Sequence, residues 1–490
     1  MNNLSEIKRL EYFYLMYSKL GVDAITENSD KRALYFLINA IQNLDELCLE
    51  IAKNNNDKYE IINDLKIIAA NINKRIFYIL NKLGDERCDA YDYVTAIVYY
   101  EEALKINPQD ANTYNTIGYM YKKISTKYEN LDKQIEYYEK AIELAPDHLQ
   151  AVRNLALAYP LVGRIQEAIK YFHKLFELGP VIDDYVAYSY LKIQLGDFKE
   201  GWKHYEHRFY VEGRSTEYPK IDKPLWKGQK IQNKTLLVHY EQGFGDTIQF
   251  FRYLEQVKPL SKKIIFRVQN TLVDLIKMNT SEIEVVGMST PLENLSFDYQ
   301  IPLMSLPHVL NATIDNIPFT EGNIKADKIK EKDYKEKYFD NDCLKIGISW
   351  NGAKGGNFLR DIPLDVFYPL TKIKNVKVYS FQKNFGSEQL EQLPPDIEII
   401  DMGKTFNDFS DTAAAMANLD LFVTSDNGVF NLAATMGVKT FLFLNKNSEW
   451  RWFFDEDRTP WYDSVRIFKK QNENDDWKLL MQRVIDTLIK

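Results

Sequence analysis

Residues Thr235–Thr247 read TLLVHYEQGFGDT, an apolar run that passes through two glycines into a polar segment. The run predicts a short strand over Thr235–Tyr240, and the glycines predict a turn after it. A helix is predicted to follow, from about Asp246 to Lys258. Because a strand that turns directly into a helix is the unit from which parallel sheets are built, this stretch predicts an α/β domain.

The same kind of pattern recurs along the rest of the chain. Further strands are predicted at 263–268, 282–287, 297–303, 345–350, 376–381, 398–401, 421–425 and 440–444, with helical segments between most of them. A charged segment, Lys325–Lys337, divides the series in two. We therefore predict two Rossmann-like α/β domains, at 235–330 and 331–490, with a crevice between the carboxyl ends of their sheets.

Upstream of these domains, three prolines mark an internal repeat. Pro108, Pro146 and Pro180 are spaced by 38 and 34 residues. Matching positions before each proline hold a small or polar residue, then an aromatic ring, then a small or apolar residue: Ala96, Tyr100 and Ala103; Gln134, Tyr138 and Ala141; Ala168, Phe172 and Leu175. Gly84, Gly118 and Ala156 complete the pattern. It is typical of tetratricopeptide repeats, in which two antiparallel helices pack closely and proline ends the second one.

The repeat organises the first 234 residues. We expect degenerate helical hairpins over 1–76 that cap the array, and repeats over 77–214 that end in a fourth unit starting near Asp183. The proline- and glycine-containing segment 215–234 is predicted to be a linker. The fold class predicted is thus an all-helical solenoid followed by two α/β domains. Arrays of this kind present curved surfaces to extended peptides or partner proteins.

Composition limits the classes of binding partner and the cellular compartment that we expect for the protein. The 490 residues carry a net charge of −8, which argues against a broad nucleic-acid surface. Three scattered cysteines argue against a disulfide framework or a zinc site, and the six histidines form no metal-binding spacing, so no metal is expected. The sequence contains no apolar run long enough to span a membrane and no signal-peptide pattern at its start, so we expect a cytoplasmic protein.

The first candidate site is the glycine turn itself, with Gln242, Gly243 and Gly245 before Asp246. Glycines let a ligand approach the backbone closely, and the start of a helix offers free N–H groups. Asp246 has two open interpretations. It is a general base at the crevice, or it is an N-cap that satisfies those N–H groups.

Two further strand-to-helix turns carry polar residues. Asn351, Lys354 and Arg360 lie in a glycine-rich loop after one strand, where backbone N–H groups and cations suit a diphosphate. The alternative is a solvated surface loop. Asp426, Asn427 and Gly428 follow another strand and suit sugar hydroxyls and phosphate, or simply cap the next helix.

Strings along residues 80–470 together resemble bacterial tetratricopeptide proteins with a glycosyltransferase domain similar to the lipopolysaccharide heptosyltransferases, and more distantly the O-linked N-acetylglucosamine transferases. The strings are GDF and GW at 196–202, YEHRF at 205–209, LWKG at 225–228, EQGFGDTIQF at 241–250, RDIPL at 360–364, Asp426 with Ala433 and Ala434, WRW at 450–452 and PWY at 460–462. Two positions depart from the family pattern: Asn427 stands where Thr or Ser is usual, and Asn431 where histidine is frequent.

The resemblance implies a GT-B fold and an enzyme that transfers a sugar from a nucleotide-diphosphate sugar, with inversion and without a cofactor or metal. It implies that Asp246 is the catalytic base, that Lys354 and Arg360 face the donor diphosphate, and that Asp426 and Asn427 contact the donor. The acceptor expected is a protein or peptide presented by the repeat array, with a lipid-linked glycan as an alternative. The two asparagines leave open a second interpretation, a non-catalytic scaffold with a degenerate glycosyltransferase module.

Overall fold

The computed structural model describes residues 2–26, 29–54, 59–125, 128–212, 219, 221–353, 360–454, 457–472 and 474–489. The chain divides into two compact units, Met1–Pro180 and Val181–Lys490. No helix among these described ranges is long and apolar enough to cross a membrane.

The first unit is entirely helical where it is described. Its helices are α1 Asn2–Thr26, α2 Asp30–Asn54, α3 Tyr59–Asp89, α4 Tyr93–Ile106, α5 Ala111–Ile124, α6 Leu131–Leu144, α7 Leu149–Ala158 and α8 Ile165–Leu178. The boundary placed after residue 76 from the sequence lies inside α3, so the capping region and the first repeat share one continuous helix.

Small residues and rings pair between the helices as the repeat pattern predicts. A Cβ atom on Gly84 would lie 2.6 Å from the ring of Tyr100, and one on Gly118 would lie 2.6 Å from the ring of Tyr138. Asp92 and Asp110 cap helices α4 and α5 by accepting from the third backbone amide of each helix. The glycines thus allow each ring to fill the gap between two helices.

The second unit begins with two helices and continues into α/β structure. Its helices are α9 Ile182–Gln194, α10 Phe198–Tyr205, α11 Phe244–Phe250, α12 Leu254–Val257, α13 Val273–Met278, α14 Leu306–Val309, α15 Lys328–Tyr334, α16 Phe409–Met416, α17 Gly428–Thr435 and α18 Trp477–Ile489. Its strands are β1 Ile231–His239, β2 Ser261–Val268, β3 Ile283–Gly287, β4 Tyr299–Pro302, β5 Leu344–Ser349, β6 Val376–Ser380, β7 Ile400–Asp401, β8 Leu421–Ser425, β9 Thr440–Leu444 and β10 Val465–Lys469.

The strands form two sheets with parallel pairing throughout the described ladders. The first has the order β3-β2-β1-β4 and the second the order β10-β9-β8-β5-β6-β7. In each sheet the order reverses beside its first strand, next to β1 and next to β5. Ligands of open parallel sheets bind outside the carboxyl ends of strands at such reversals.

Several local features differ from the sequence-based expectation. The helix predicted from Asp246 to Lys258 is α11 and α12 with 3₁₀ turns between and after them. Two of the helical segments predicted between later strands are 3₁₀ segments, Leu364–Lys372 and Ser387–Gln392. Strand β10 is an addition that the alternation did not indicate. In the predicted linker, the backbone amide of Trp226 donates to the carbonyl of Gln300 on β4 (2.9 Å), so part of it pairs with the first sheet.

Helices α9 and α10, expected from the sequence to be the last repeat of the array, belong to the second unit. Trp202 on α10 packs edge-on against Phe250 on α11, and Phe198 stacks on Trp461. Both α10 side chains lie in the main hydrophobic core of the second unit. The helical hairpin therefore supports the α/β structure directly.

Candidate functional site

The first turns of helices α11 and α17 meet through glycines. A Cβ atom on Gly245 would lie 2.7 Å from Nδ2 of Asn431, and one on Gly428 would lie 3.7 Å from the amide nitrogen of Gly245. Helix α11 follows β1 of the first sheet, and α17 follows β8 of the second. The two sequence-predicted turns are therefore brought together from the two halves of the second unit.

Asp246 is the third residue of α11, and Gly243 is its N-cap. Oδ2 of Asp246 accepts a hydrogen bond from the backbone amide of Gly243 (3.0 Å). The N-cap interpretation of Asp246 is therefore wrong as stated: Gly243 is the N-cap, and the Asp246 carboxylate, at the third position of the helix, accepts from its amide. The Asp246 side chain keeps 13% of its surface exposed, so the carboxylate is not sealed from solvent.

The other oxygen of that carboxylate, Oδ1, accepts from Nη2 of Arg451. Arg451 lies between β9 and β10, and its side chain is only 11% exposed. Nε of Arg451 donates to Oε1 of Gln249 on α11 (3.2 Å), and Nη1 donates to Oε2 of Glu449 (2.9 Å). Burial lowers the pKa of Arg451, but the carboxylates of Asp246 and Asp426 more than offset this, and the pKa lies above its ordinary value.

Glu449 links this pair to the second predicted cation. Oε1 of Glu449 accepts from Nη2 of Arg360, while Nη1 of Arg360 lies 3.8 Å from Oδ2 of Asp426. Five charged side chains therefore alternate in sign across the junction of the two halves, in the order Asp246, Arg451, Glu449, Arg360, Asp426. We call this series the charge chain.

Asp426 ends the charge chain on the donor side expected from the sequence. Its Oδ2 also accepts from the indole nitrogen of Trp452 (2.8 Å), and the residue is buried. The indole hydrogen bond therefore holds the Asp426 carboxylate beside the guanidinium of Arg360, which is near enough for an ion pair but too far for a hydrogen bond. The carboxylate is well placed to orient a hydroxyl group of a bound ligand.

Asn427 caps α17, as its alternative interpretation stated. Its Oδ1 accepts from the amide of Phe430 (2.9 Å), and its Nδ2 donates to hydroxyl groups of Ser349, Thr424 and Ser425. Asn431 is also engaged inside the fold, since Nδ2 donates to the carbonyl of Asn427 (3.1 Å) and Oδ1 accepts from Tyr462 (3.2 Å). The two asparagines that depart from the family pattern thus stabilise the turn from within.

The glycine-rich loop after β5 is anchored at both ends. Oε1 of Gln382 accepts from the amides of Trp350 and Asn351 (both 3.1 Å), and Oδ1 of Asp361 accepts from the amide of Gly352 (3.1 Å). Lys354 lies outside the described residues. Asn351 and Arg360 flank that stretch.

Gln242 adopts a left-handed backbone conformation with φ of 61°, which is uncommon for a residue with a side chain. Its Nε2 donates to the hydroxyl of Tyr205 on α10 (2.9 Å), and its carbonyl accepts from Nε2 of Gln269 (3.3 Å). Next to it, the buried carboxylate of Glu241 pairs with both Nε (2.6 Å) and Nη2 (2.8 Å) of Arg208. Contacts from Tyr205 and Arg208, in and just after α10, thus stabilise the turn that precedes Asp246.

Arg451, Glu449, Arg208 and Tyr205 were not among the residues singled out from the sequence. The signal that marked their neighbourhood was the pair of strings YEHRF and WRW, in which charged residues interrupt aromatic runs. A charge within an apolar string is costly to bury unless it is paired, so such positions indicate a buried ion pair. Within the described ranges, no group of three or more His, Cys, Asp and Glu side chains is placed to hold a metal ion.

The second unit combines two parallel Rossmann-like sheets with a charged site where their first turns meet, and the first unit is a helical repeat array. A tetratricopeptide repeat family model matches residues 111–148, which confirms the repeat character predicted for the array. The predicted fold class, a helical solenoid followed by paired α/β domains, is likewise confirmed.

Known proteins that are similar to this chain include one curated relative and two solved structures. Protein FlbA of Caulobacter vibrioides is 26% identical over 427 residues, which cover 80% of this chain and 69% of FlbA. The glycosyl transferase family 9 structure from Veillonella parvula covers 53% of this chain and 97% of its own, with 14% identity and a TM-score of 0.41. The E. coli ADP-heptose lps heptosyltransferase II structure covers 52% and 98%, with 12% identity and a TM-score of 0.39.

Proposed function

We propose that the chain is a glycosyltransferase that moves a sugar from a nucleotide-diphosphate sugar to an acceptor hydroxyl group, with inversion at the anomeric carbon. The observation that carries the proposal is the partly exposed carboxylate of Asp246, which lies where the first turns of α11 and α17 meet. A base at that junction is close to any ligand that binds at the carboxyl ends of the strands of the second sheet. The charge chain places the cation of Arg360 beside the same binding region.

In the proposed reaction, Asp246 takes the proton of the acceptor hydroxyl while that oxygen forms a bond to the anomeric carbon. The bond between that carbon and the diphosphate oxygen breaks, and its electron pair leaves with the nucleoside diphosphate. Arg360 and the first-turn amides of α17 stabilise the developing charge, and Lys354 is proposed to assist. In this proposal Arg360 and Lys354 supply the positive charge at the leaving group, so that the reaction needs no metal ion.

The acceptor that we propose is a protein or peptide presented by the repeat array. Tetratricopeptide arrays bind extended segments along a curved face, and the family match at 111–148 supports such a surface here. We place the reaction in a reducing cytoplasm, in keeping with the free thiols of Cys48, Cys88 and Cys343.

The test is a panel of UDP-, GDP-, dTDP- and ADP-linked sugars, scored for release of the nucleoside diphosphate with and without EDTA. We expect one nucleotide class to be consumed, EDTA to have no effect, and Asp246→Asn to lower the rate about 10²–10⁴-fold. Asp274→Asn is the matched control, because Asp274 also lies in the first turn of a helix in the same half but is exposed.

Two outcomes would contradict the proposal. If no member of the panel is consumed and none raises the melting temperature, the scaffold interpretation prevails. If a donor is consumed and Asp246→Asn works at the wild-type rate, Asp246 only supports the helix and the base lies elsewhere in the junction.

A further inference from the structure

Arg451 joins the two halves of the second unit at the residue proposed to be the base. It lies after β9, in the half formed by the second sheet, yet its guanidinium binds two residues of α11 in the other half. These two residues, Asp246 and Gln249, are three positions apart and so share one face of that helix. The planar guanidinium therefore donates hydrogen bonds to two side chains of the same helix.

The rest of the Arg451 residue is also fixed. Its guanidinium carbon lies 4.3 Å from the ring centroid of Trp450, and its carbonyl accepts from the indole nitrogen of Trp461 (3.1 Å). Trp450 in turn stacks on Tyr190 of α9 with an angle of 5° between the rings. A guanidinium held by a stacked ring and three hydrogen-bonded partners has little rotational freedom left.

The contact with Arg451 restricts the orientation of the Asp246 carboxylate. The terminal torsion of an aspartate is broad, so an unpaired carboxylate turns easily about it. Here Gly243 donates to Oδ2 and Arg451 donates to Oδ1, which fixes the plane of the group while each oxygen keeps one acceptor direction. With the plane fixed, the remaining lone pair of each oxygen points in one fixed direction.

We propose that Arg451 is a positioning residue, which aligns the Asp246 carboxylate for proton transfer only while the two halves of the unit are in the arrangement described. This inference rests on the proposed function. The inference adds that Arg451, which belongs to the half expected to bind the donor, sets the orientation of the Asp246 carboxylate in the other half. Nothing about Arg451 requires contact with the substrate.

The experiment compares Arg451→Lys, Arg451→Met and Asp246→Asn, singly and as the double variant Arg451→Met/Asp246→Asn. It uses the full chain and the nucleotide sugar that the wild type consumes in the panel. Arg451→Lys keeps the charge and removes the planar fork. We expect it to lower kcat about 10–100-fold at an unchanged KM for the donor, since misplacement of a catalytic group by about 1 Å costs that much.

The double variant separates positioning from support of the fold. If Arg451 acts through Asp246, then Arg451→Met lowers kcat in the wild type but adds no further loss to Asp246→Asn. Losses that multiply, with a lower melting temperature in each variant, identify a general structural role and overturn the inference. Arg466→Met is the matched control, because Arg466 is a half-exposed arginine of the same half.

The remaining outcomes distinguish a failure of the positioning role of Arg451 from a failure of the proposed function. An active Arg451→Lys beside an inactive Asp246→Asn overturns the inference and leaves the proposed function standing. An active Asp246→Asn overturns both. A raised KM with an unchanged kcat in Arg451→Lys assigns Arg451 to donor binding, which also overturns the positioning role.

Discussion

At the scale of single residues, Asp246 combines a structural task with the chemical one proposed for it. Its carboxylate accepts from Gly243 and neutralises the buried guanidinium of Arg451. Removing one partner of a buried ion pair leaves the other charge uncompensated, which costs about 3–5 kcal/mol for a fully buried pair. The cost is lower for Asp246, because its side chain is partly exposed and because Arg451 keeps a second carboxylate partner in Glu449.

The stability of Asp246 variants tests this double role. We expect Asp246→Asn to lower the free energy of unfolding of the second unit by about 1–2 kcal/mol, less than a fully buried pair would cost. Asp246→Ala is expected to cost more, because it also leaves the Gly243 amide without its acceptor. All seven tryptophans lie between residues 202 and 477, so urea titrations followed by tryptophan fluorescence report this unit alone. Equal midpoints for wild type and Asp246→Asn would show that Arg451 does not depend on Asp246.

Glu449 forms an ion pair with Arg360, the cation that the proposed function assigns to the diphosphate of the donor. Because Arg360 pairs with Glu449, a diphosphate must compete with that carboxylate. We expect Glu449→Gln to tighten the binding of UDP or ADP about tenfold and Arg360→Met to weaken it by a similar factor, since one charged hydrogen bond contributes about 1.5–3 kcal/mol. Calorimetry with the diphosphate and the bare nucleoside checks this, with exposed Glu388→Gln as the control. Weaker binding of the diphosphate to Glu449→Gln would contradict the competition.

The sequence predicted the position of Asp246 better than its surroundings. Glycines after an apolar run locate a turn and a helix start, and that information is local. Arg451 follows 205 positions later in the chain, and nothing local specifies that its guanidinium meets Asp246. The same limit applies to Arg208 and Glu241, whose pairing depends on where α10 packs.

At the scale of elements, each of the nine predicted strands overlaps an observed one, because buried parallel strands are short, continuous apolar runs. The helices were less well predicted. Pro369 lies inside the segment Leu364–Lys372, and a proline there removes an amide and favours the 3₁₀ geometry observed. Strand β10 was missed because PWYDSVRIF contains no glycine turn before its apolar run.

Strand β1 carries a buried histidine that makes stability depend on pH. Burial lowers the pKa of His239, although Gln300 and Glu241 act in the opposite direction. The folded chain therefore takes up this proton at lower pH than the unfolded chain, whose histidine has a pKa of about 6.5. The stabilisation is complete above that pH and is lost as the pH falls below it, by at most about 1.4 kcal/mol per pH unit.

We expect His239→Gln to flatten this part of the profile. Glutamine still reaches Gln300 but does not titrate. Urea midpoints measured between pH 7.5 and 5.5 by tryptophan fluorescence should fall less in His239→Gln than in the wild type, with His308→Gln, a partly exposed position, following the wild type. Parallel profiles for all three proteins would show that His239 does not contribute.

At the scale of the whole molecule, sequence periodicity and packing assign α9 and α10 differently. The repeat pattern places them at the end of the array, since GDF and GW continue its spacing. Packing places them in the second unit, where Arg208 pairs with Glu241 and Tyr205 accepts from Gln242. A repeat pattern records how two helices of one hairpin pack on each other, and it does not specify which neighbour covers the hairpin.

Two fragments of the second unit distinguish these assignments. We expect residues 181–490 to fold cooperatively and residues 221–490 to fail. The shorter fragment leaves the buried carboxylate of Glu241 without Arg208, and it exposes the apolar surfaces that Phe198 and Trp202 cover. Removing one partner of a buried ion pair costs about 3–5 kcal/mol, which is a large part of the stability of an ordinary domain.

The measurement is the urea unfolding of both fragments, followed by the fluorescence of the tryptophans that they share, together with Arg208→Met in residues 181–490. If the hairpin belongs to the second unit, the longer fragment shows one sharp transition, Arg208→Met lowers its midpoint, and the shorter fragment aggregates or unfolds without a transition. Had the hairpin been only the last repeat of the array, both fragments would unfold at the same midpoint. Arg208→Met would then change nothing, because a carboxylate that tolerates the loss of the hairpin does not depend on Arg208.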